Sequence, residues 1–161
     1  GFEQLFMIAK LLSSLKNISF YIYGTGNENF LKDKIRKEKL KNIVVKGFVE
    51  NIEKEINNFN IFFHPSHREG LNVSIQECLA RGIPVITTNI RGCKDLIEDG
   101  YNGFIYDYLD IDKALNHIIH VYNMDSLALK RLRKNCINYA RENLDRKKLS
   151  LQIEEIINNN E

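Results

Sequence analysis

Short apolar segments alternate with longer helical patterns along most of this chain. The apolar segments predict strands at residues 18–23, 43–46, 61–64, 84–87 and 104–106. The intervening patterns predict helices at residues 2–15, 30–40, 52–57, 72–81 and 93–97, and from residue 111 almost to the end. Such alternation is typical of a parallel sheet with helices on both faces. The runs IFFH and PVITT are apolar at nearly every position, as strands buried on both faces should be. We therefore expect an α/β fold with a doubly wound, Rossmann-like parallel sheet.

The chain is 161 residues long, and 43% of them are hydrophobic. This length fits one domain with a real core, which we place at residues 1–161. The chain enters a helix directly after Gly1, whereas a doubly wound unit normally begins with a strand. We therefore expect the first strand of the unit to lie upstream of Gly1, outside this sequence.

Charge and cysteine content narrow the class of protein. The net charge of +2 is too small to predict a nucleic-acid partner. No apolar run approaches the roughly 18–20 residues that a membrane-spanning helix needs. The three cysteines are odd in number, far apart and without CxxC spacing, which predicts free thiols in a reducing cytoplasm.

The most informative stretch is HPSHREGLNVSIQECLARGIPVITTNIRGCKDLIEDGYNGF, residues 64–103. A buried strand ends at His64, a loop follows, and a helix begins near Asn72. Open α/β folds bind their ligands at this carboxyl edge of the sheet. Free backbone amides at Asn72, Val73 and Ser74 would suit a phosphate. Gly70, which has no Cβ, would let a ligand approach the backbone closely.

Two glutamates belong to this stretch. Glu69 precedes the helix, and Glu77 lies eight residues later, about two turns into it. Ionised carboxylates accept hydrogen bonds only, so hydroxyl groups are their natural partners. A ligand with hydroxyls at both ends and a diphosphate between them is a nucleotide sugar. From the spacing alone another interpretation stays open, in which Glu69 caps the helix and Glu77 is a solvated surface residue.

Residues 64–106 resemble the signature region of the family-4 glycosyltransferases, which have the two-domain GT-B fold. That family reads P-S-x-x-E-G-[FL]-x-x-x-x-x-E-[AC]-x-A-x-G-x-P-V-[IV], followed by a loop with G and then D-G-x-N-G. The landmarks here are Pro65-Ser66, Glu69-Gly70-Leu71, Glu77-Cys78-Leu79-Ala80, Gly82, Pro84-Val85-Ile86, Gly92 and Asp99-Gly100-Tyr101-Asn102-Gly103. The resemblance implies that this chain is the C-terminal, donor-binding domain of such an enzyme.

The resemblance assigns roles to the residues around the helix start. Glu69, the candidate catalytic residue, would accept hydrogen bonds from hydroxyls of the donor sugar. Leu71, Asn72 and Val73 would present backbone amides to the sugar and the diphosphate, and Glu77 would bind the ribose hydroxyls. In this family neither glutamate acts as a conventional nucleophile. The acceptor attacks from the face that the nucleotide leaves, with retention of configuration.

Two upstream segments also resemble the family. The segment IYGTG resembles its I-x-G-x-G loop, which implies that Gly24 and Gly26 border the nucleotide. The segment VKGFV resembles a shortened V-x-F-x-G-x-V element, which implies that Phe48 and Val49 border the base.

This sequence departs from the family pattern in three respects. Asn72 stands where many members have Gly, and Cys78 replaces the commoner Ala. The family's phosphate-binding Arg and Lys would precede Gly1, as would the N-terminal domain that binds the acceptor. We therefore expect the chain alone to bind donor weakly and to transfer no sugar.

The predicted function is glycosyl transfer from a nucleoside-diphosphate sugar, with UDP as the family's commonest nucleotide. The acceptor would be a glycan or a lipid-linked glycan, reached through the N-terminal domain, and the pathway bacterial surface-polysaccharide synthesis. Two other interpretations remain: a non-catalytic nucleotide-binding α/β module, and a GT-B sugar-nucleotide 2-epimerase. We expect no cofactor and no metal ion.

Weaker signals leave smaller questions open. The Gly24-Thr25-Gly26 loop lacks the third glycine of a nicotinamide site. The pairs His64/His67 and His117/His120 are three residues apart, but the second pair has no obvious third metal ligand. His67 and Arg68 could face donor phosphates or solvent. The basic residues from Lys32 to Lys41 and from Arg131 to Lys148 could form solvated faces, or could bring a cytoplasmic protein to anionic lipid at the inner face of a membrane.

Overall fold

The computed structural model describes residues 1–144. Its five strands are β1 (Phe20–Tyr23), β2 (Ile43–Gly47), β3 (Phe62–His64), β4 (Val85–Thr88) and β5 (Gly103–Tyr106). Its helices are α1 (Phe2–Leu11), α2 (Glu28–Lys37), α3 (Ile52–Ile56), α4 (Val73–Ala80), α5 (Ile111–Tyr122) and α6 (Ser126–Asn143). All five predicted strands are present, each within two residues of its predicted ends.

The strands are parallel throughout, which confirms the α/β class. They form two sheets rather than one continuous sheet, with orders β1-β2 and β3-β4-β5. Among the described residues, β1 pairs only with β2 and β3 pairs only with β4, so no ladder joins the two sheets.

Helices cover both faces of the larger sheet. All four residues of β4 are buried, as the run PVITT predicts for a strand covered on both faces. Val85 packs into a cluster with α4 and α6, whereas its neighbour Ile86 packs into a cluster with α1 and α5. Successive side chains of a strand point to opposite faces, so these two clusters are the two sides of a doubly wound layer.

Helix α1 joins the two sheets. Ile8 and Leu12 pack in the cluster beneath β4 and β5, whereas Phe6 and Ala9 pack in the cluster beneath β1 and β2. Because residues three and four apart share one side of a helix, neighbouring stripes of one helix can serve two cores. The helix is therefore the packed connection between the two strand groups.

The C-terminal half differs from the prediction. The continuous helix expected from residue 111 is broken at residues 123–125, where α5 ends and α6 begins. Asp125 caps the second helix by accepting hydrogen bonds from the backbone N–H groups of Leu127 and Ala128. The helix predicted at residues 93–97 is a single 3₁₀ turn, Lys94–Leu96. The part of the predicted C-terminal helix beyond residue 144 lies outside the described residues.

Candidate functional site

The β3–α4 loop is fastened to the neighbouring strand by two buried threonines. Thr87 Oγ1 donates a hydrogen bond to the carbonyl oxygen of His64 at 2.9 Å. Thr88 Oγ1 donates to the carbonyl oxygen of Ser66. Both threonines come from β4 and are 0% exposed. The start of the loop therefore leaves the carboxyl edge of the sheet along a fixed path.

Helix α4 begins at Val73, and its cap is Asn72. The Asn72 side-chain oxygen accepts a hydrogen bond from the backbone N–H of Ile75 at 2.9 Å. Glu69 therefore does not cap this helix, which removes one of the alternatives left open by the spacing. The departure from glycine at position 72 supplies a good N-cap residue. First-turn amides have no intrahelical acceptor, so those of Val73 and Ser74 remain able to bind an anion.

Three side chains meet beside this cap. His64 Nε2 lies 3.0 Å from Glu69 Oε1, and Asn72 Nδ2 lies 2.8 Å from the same ring nitrogen. The side chain of His64 is 21% exposed and that of Glu69 is 30% exposed. Burial lowers the pKa of His64 from its ordinary value, and the hydrogen bond that the ring donates to Glu69 opposes that shift only in part. The ring is therefore neutral at pH 7.

Glu77 has different surroundings. Its side chain is exposed on α4, and no ion pair to it is found among residues 1–144. The nearby Arg81 is engaged elsewhere, since it pairs with Glu53 at 2.8 Å and donates to the backbone oxygen of Glu77. Exposure suits both a ligand contact and a plain surface residue, so the role of Glu77 remains a prediction.

Two glycine loops touch at the site. Gly92 has a φ of +82°, and a Cβ built there would overlap the carbonyl oxygen of Gly70. Gly92 is therefore required by both its backbone conformation and its close approach. A Cβ at Gly70 would meet nothing within 4 Å, so the space in front of Gly70 is open. Leu71 and Val73, which follow Gly70 in the chain, are also exposed.

The predicted nucleotide loop lies at the end of the smaller sheet. Gly24 and Gly26 have φ values of +115° and +107°, which explains why glycine stands at both positions. Gly24 N–H donates to the carbonyl oxygen of Gly47 at 2.9 Å, which places the loop beside Phe48. Phe48 is 73% exposed and Val49 is partly buried. A shallow pocket of about 280 Å³ opens next to this loop, lined by Gly26, Asn27, Glu28, Asn29 and Phe30.

The structure thus brings the predicted residues together in two groups. One group surrounds Glu69 at the end of β3, and the other surrounds Gly24 at the end of β1. In the described part of the chain no hydrogen bond joins the two groups. Their assignment to one ligand is a prediction.

The weaker histidine signals, and an Asp-x-Asp triplet that could suggest a metal site, have structural explanations. His67 packs against Tyr108 in a tilted arrangement, with ring centroids 5.8 Å apart. His117 stacks on Phe104, with ring centroids 5.0 Å apart, and lies near the backbone of Ile105. An Asp-x-Asp triplet begins at Asp110, which caps α5 by accepting from the N–H of Lys113. Within residues 1–144 no group of three or more His, Cys, Asp or Glu residues could hold a metal ion.

The cysteines are buried and free, as the sequence indicates for Cys78, Cys93 and Cys136. Burial raises the pKa of the Cys78 and Cys136 thiols to about 12, which leaves them protonated. Among the helices of the described region none is long and apolar enough to cross a membrane.

His64 is the site residue that the sequence analysis missed. The sequence places His64 at the end of a buried strand and pairs it with His67 as a weak metal signal, but assigns it no role at the site. That position was the available signal. The contact with Glu69 could not be read from the sequence, because it depends on how the loop between β3 and α4 folds back.

Comparison with known proteins supports the resemblance. Residues 1–143 match the family model described as "Glycosyl transferases group 1". Over 160 residues the chain is 30% identical to the poly(ribitol-phosphate) alpha-N-acetylglucosaminyltransferase of Staphylococcus aureus (strain COL), covering 92% of this chain and 32% of that protein. It is 40% identical over 87 residues to the capsular polysaccharide biosynthesis glycosyltransferase CapM of Staphylococcus aureus, covering 53% of this chain and 23% of that protein.

Solved structures share the fold. The crystal structure of TarM superposes with a TM-score of 0.85 at 23% identity, covering 97% of this chain and 31% of that one. Anabaena HepE in complex with UDP superposes with a TM-score of 0.80 at 21% identity, covering 96% of this chain and 44% of that one. The chain spans about a third or less of the length of the first curated relatives it matches. With the family model matched over residues 1–143, this chain belongs to the group 1 glycosyl transferases.

Proposed function

We propose that this chain binds a nucleoside-diphosphate sugar, with UDP as the nucleotide, and serves as the donor-binding part of a retaining glycosyltransferase. The observation that carries the proposal is the β3–α4 junction. There, Glu69 lies in a hydrogen-bonded cluster next to the amides of Val73 and Ser74 at a capped helix start. A carboxylate accepts hydrogen bonds from hydroxyls, and free helix-start amides bind phosphate. A nucleotide sugar has both of these groups.

In this proposal Glu69 binds hydroxyls of the sugar, and the amides of Leu71, Asn72 and Val73 approach the sugar and the diphosphate. Glu77 binds the ribose from the exposed side of α4. Gly24 and Gly26 leave room for the nucleotide, and Phe48 and Val49 border the base. The open space in front of Gly70 supports a close approach of the ligand to the backbone.

Relatives support the substrate class. The names of four of them contain an alpha linkage. One is named for UDP-Gal as its donor and an undecaprenol diphosphate as part of its acceptor, and another is named for GDP-mannose. HepE has been solved with UDP, and also with UDP-glucose. We therefore propose transfer with retention to a glycan or a lipid-linked acceptor, in the synthesis of a bacterial wall or capsule polymer.

The acceptor site belongs, in this proposal, to the portion of the relatives that this chain does not match. Transfer needs donor and acceptor aligned in one cleft, so the 161-residue chain should bind donor without transferring sugar. We further propose that phosphate charge meets backbone amides rather than a bound metal ion. Metal analysis of the purified chain, showing one divalent ion per molecule, would contradict that part.

A peripheral contact of α2 with anionic lipid is the alternative to a solvated helix face. The helix is rich in lysine and arginine, although two of these residues are paired with acids: Lys34 lies 3.9 Å from Glu38, and Arg36 lies 3.3 Å from Asp33. These pairs favour a solvated face. Sedimentation with vesicles containing anionic lipid, against neutral vesicles, decides between the two.

Calorimetry with the 161-residue chain tests the central claim. The ligands are UDP, GDP and ADP, followed by UDP-N-acetylglucosamine, UDP-glucose and UDP-galactose. We expect UDP to bind, and one UDP sugar to bind more tightly than UDP alone. Tighter binding of GDP or ADP than of UDP would mean that the donor carries that nucleotide instead of UDP. Binding of no nucleotide by a folded chain would refute the function.

A further inference from the structure

The strongest feature that the proposed function leaves unused is His64. Its side chain is 21% exposed, and its Nε2 atom contacts two different side chains, Glu69 Oε1 at 3.0 Å and Asn72 Nδ2 at 2.8 Å. A ring nitrogen either carries a hydrogen and donates or has a lone pair and accepts. The two neighbours require opposite protonation states of Nε2. The carboxylate accepts, so it needs a protonated Nε2, whereas the amide nitrogen donates, so it needs an unprotonated one.

The orientation of the Asn72 amide is fixed by the helix cap. Its Oδ1 accepts from the N–H of Ile75, so its Nδ2 is the atom that faces His64. The assignment of oxygen and nitrogen therefore follows from the hydrogen bond to Ile75 and is not arbitrary. Asn72 is 5% exposed, so the alternative of turning this amide toward water is closed.

The competition at Nε2 favours Glu69. A hydrogen bond to an ionised carboxylate is roughly twice as strong as one between neutral groups, so the ring gains more by donating to Glu69 than by accepting from Asn72. With Nε2 protonated and Nδ1 not, the ring is neutral, as its burial requires. The pair then keeps the full negative charge of Glu69.

We propose that His64 is a positioning residue for Glu69: its Nε2–H donates to Oε1, fixes the plane of the carboxylate, and leaves Oε2 for a hydroxyl of the donor sugar. The inference rests on the proposed function, since it names the residue that orients the sugar-binding carboxylate. Asn72 is the competing partner. When Glu69 is absent, we expect Nδ1 to carry the proton and Nε2 to accept a hydrogen bond from Asn72 Nδ2.

The test separates sugar binding from nucleotide binding. Calorimetry on the 161-residue chain compares UDP with whichever of UDP-N-acetylglucosamine, UDP-glucose and UDP-galactose binds wild type most tightly. We expect His64→Leu to weaken binding of the UDP sugar about 10-fold, the loss expected for a hydrogen bond to a charged group, and to leave binding of UDP within about twofold of wild type. His64→Gln keeps an N–H donor near the Nε2 position and should recover most of the affinity.

A second measurement reads the tautomer directly. In ¹⁵N spectra of the histidine side chains, the His64 signals are those missing from His64→Gln. We expect protonated Nε2 in wild type and protonated Nδ1 in Glu69→Ala. A residue with only a structural role would not exchange its proton between the two nitrogens when Glu69 is removed.

The outcomes are distinct. If wild type binds neither UDP nor a UDP sugar, the proposed function fails and this inference fails with it. If wild type binds the UDP sugar and His64→Leu binds it equally well, the inference alone is overturned. Equal loss of UDP and UDP sugar in a folded His64→Leu, or no recovery in His64→Gln, would also overturn it. So would a protonated Nδ1 in wild type.

Discussion

Glu69 and Glu77 are separated by seven residues, yet their surroundings differ in kind. Glu69 stands in a loop fastened by Thr87 and Thr88, touches His64, and adjoins a glycine contact with no room for a methyl group. Glu77 stands exposed on a regular helix turn. The loop carboxylate has one geometry that the surrounding residues determine, whereas the helix carboxylate is placed by the helix alone. Damage to the loop should therefore affect Glu69 and spare Glu77.

The largest effect is expected at Gly92. Its replacement by Ala places a methyl group against the carbonyl oxygen of Gly70 at a φ of +82°. Gly100→Ala is the matched control, because Gly100 has a φ of +79° with nothing within 4 Å of the new Cβ. The control should cost about 1–2 kcal/mol, the cost of the left-handed conformation. Gly92→Ala should cost about 1–3 kcal/mol more, from overpacking.

Urea unfolding of both variants measures this difference. In native conditions we also expect Gly92→Ala to weaken binding of the UDP sugar more than binding of UDP, since the shifted loop contains Glu69 and not Glu77. Equal free energies of unfolding for the two variants would show that the contact between the glycine loops is not tight in solution.

The next effect separates the two glutamates directly. Glu77→Ala should weaken binding of UDP by about 1.5–3 kcal/mol, the loss of a charged hydrogen-bond partner, because UDP itself carries the ribose. Glu69→Ala should change UDP binding little and remove the extra affinity of the UDP sugar. Calorimetry with both ligands provides the comparison. Equal losses of UDP affinity in the two variants would contradict the division of roles.

The sequence predicted the strands and the start of α4 well, because both depend on local patterns. A run such as PVITT can hardly be anything other than a strand buried on both faces, and Gly24 and Gly26 indicate a tight turn directly. The break before Asp125 was missed, although an Asp followed by Ser is an ordinary N-cap signal, because the apolar spacing continues on both sides of it.

The contacts of the site were the part that the sequence could not supply. That Asn72 caps α4 was available from its residue type, but that its other amide atom meets His64 was not. The contact of Gly92 with Gly70 joins two loops 22 residues apart in sequence. Such contacts depend on tertiary packing, and no local pattern encodes them.

A smaller effect is expected at the helix cap. Asn72→Ala removes the acceptor for the N–H of Ile75 and should cost about 1 kcal/mol of stability. Asp110→Ala removes an equivalent cap from α5, where the lost partner is the N–H of Lys113, and should cost a similar amount. Only Asn72→Ala should also change UDP-sugar binding. If both cap variants bind the UDP sugar as wild type does, the start of α4 is not part of the site.

The smallest effect is expected in the pH dependence of stability, and it tests His64, the buried partner of Glu69. Burial lowers the pKa of His64 in the folded chain below its ordinary value, so the unfolded chain binds a proton first as the pH falls. The free energy of unfolding should therefore decrease as the pH drops below about 6.5, and level off below the folded-state pKa. His64→Gln cannot titrate, so its stability should decrease less between pH 7.5 and 5.5 than that of wild type.

His117 provides a control, because burial lowers its pKa in the same direction. His117→Gln should therefore remove a separate part of the pH dependence, and the double variant should remove both parts. Urea unfolding at several pH values measures all four proteins. A His64→Gln variant with the full wild-type dependence on pH would mean that His64 is solvated and charged in the folded chain, and that Glu69 is not held by a neutral ring.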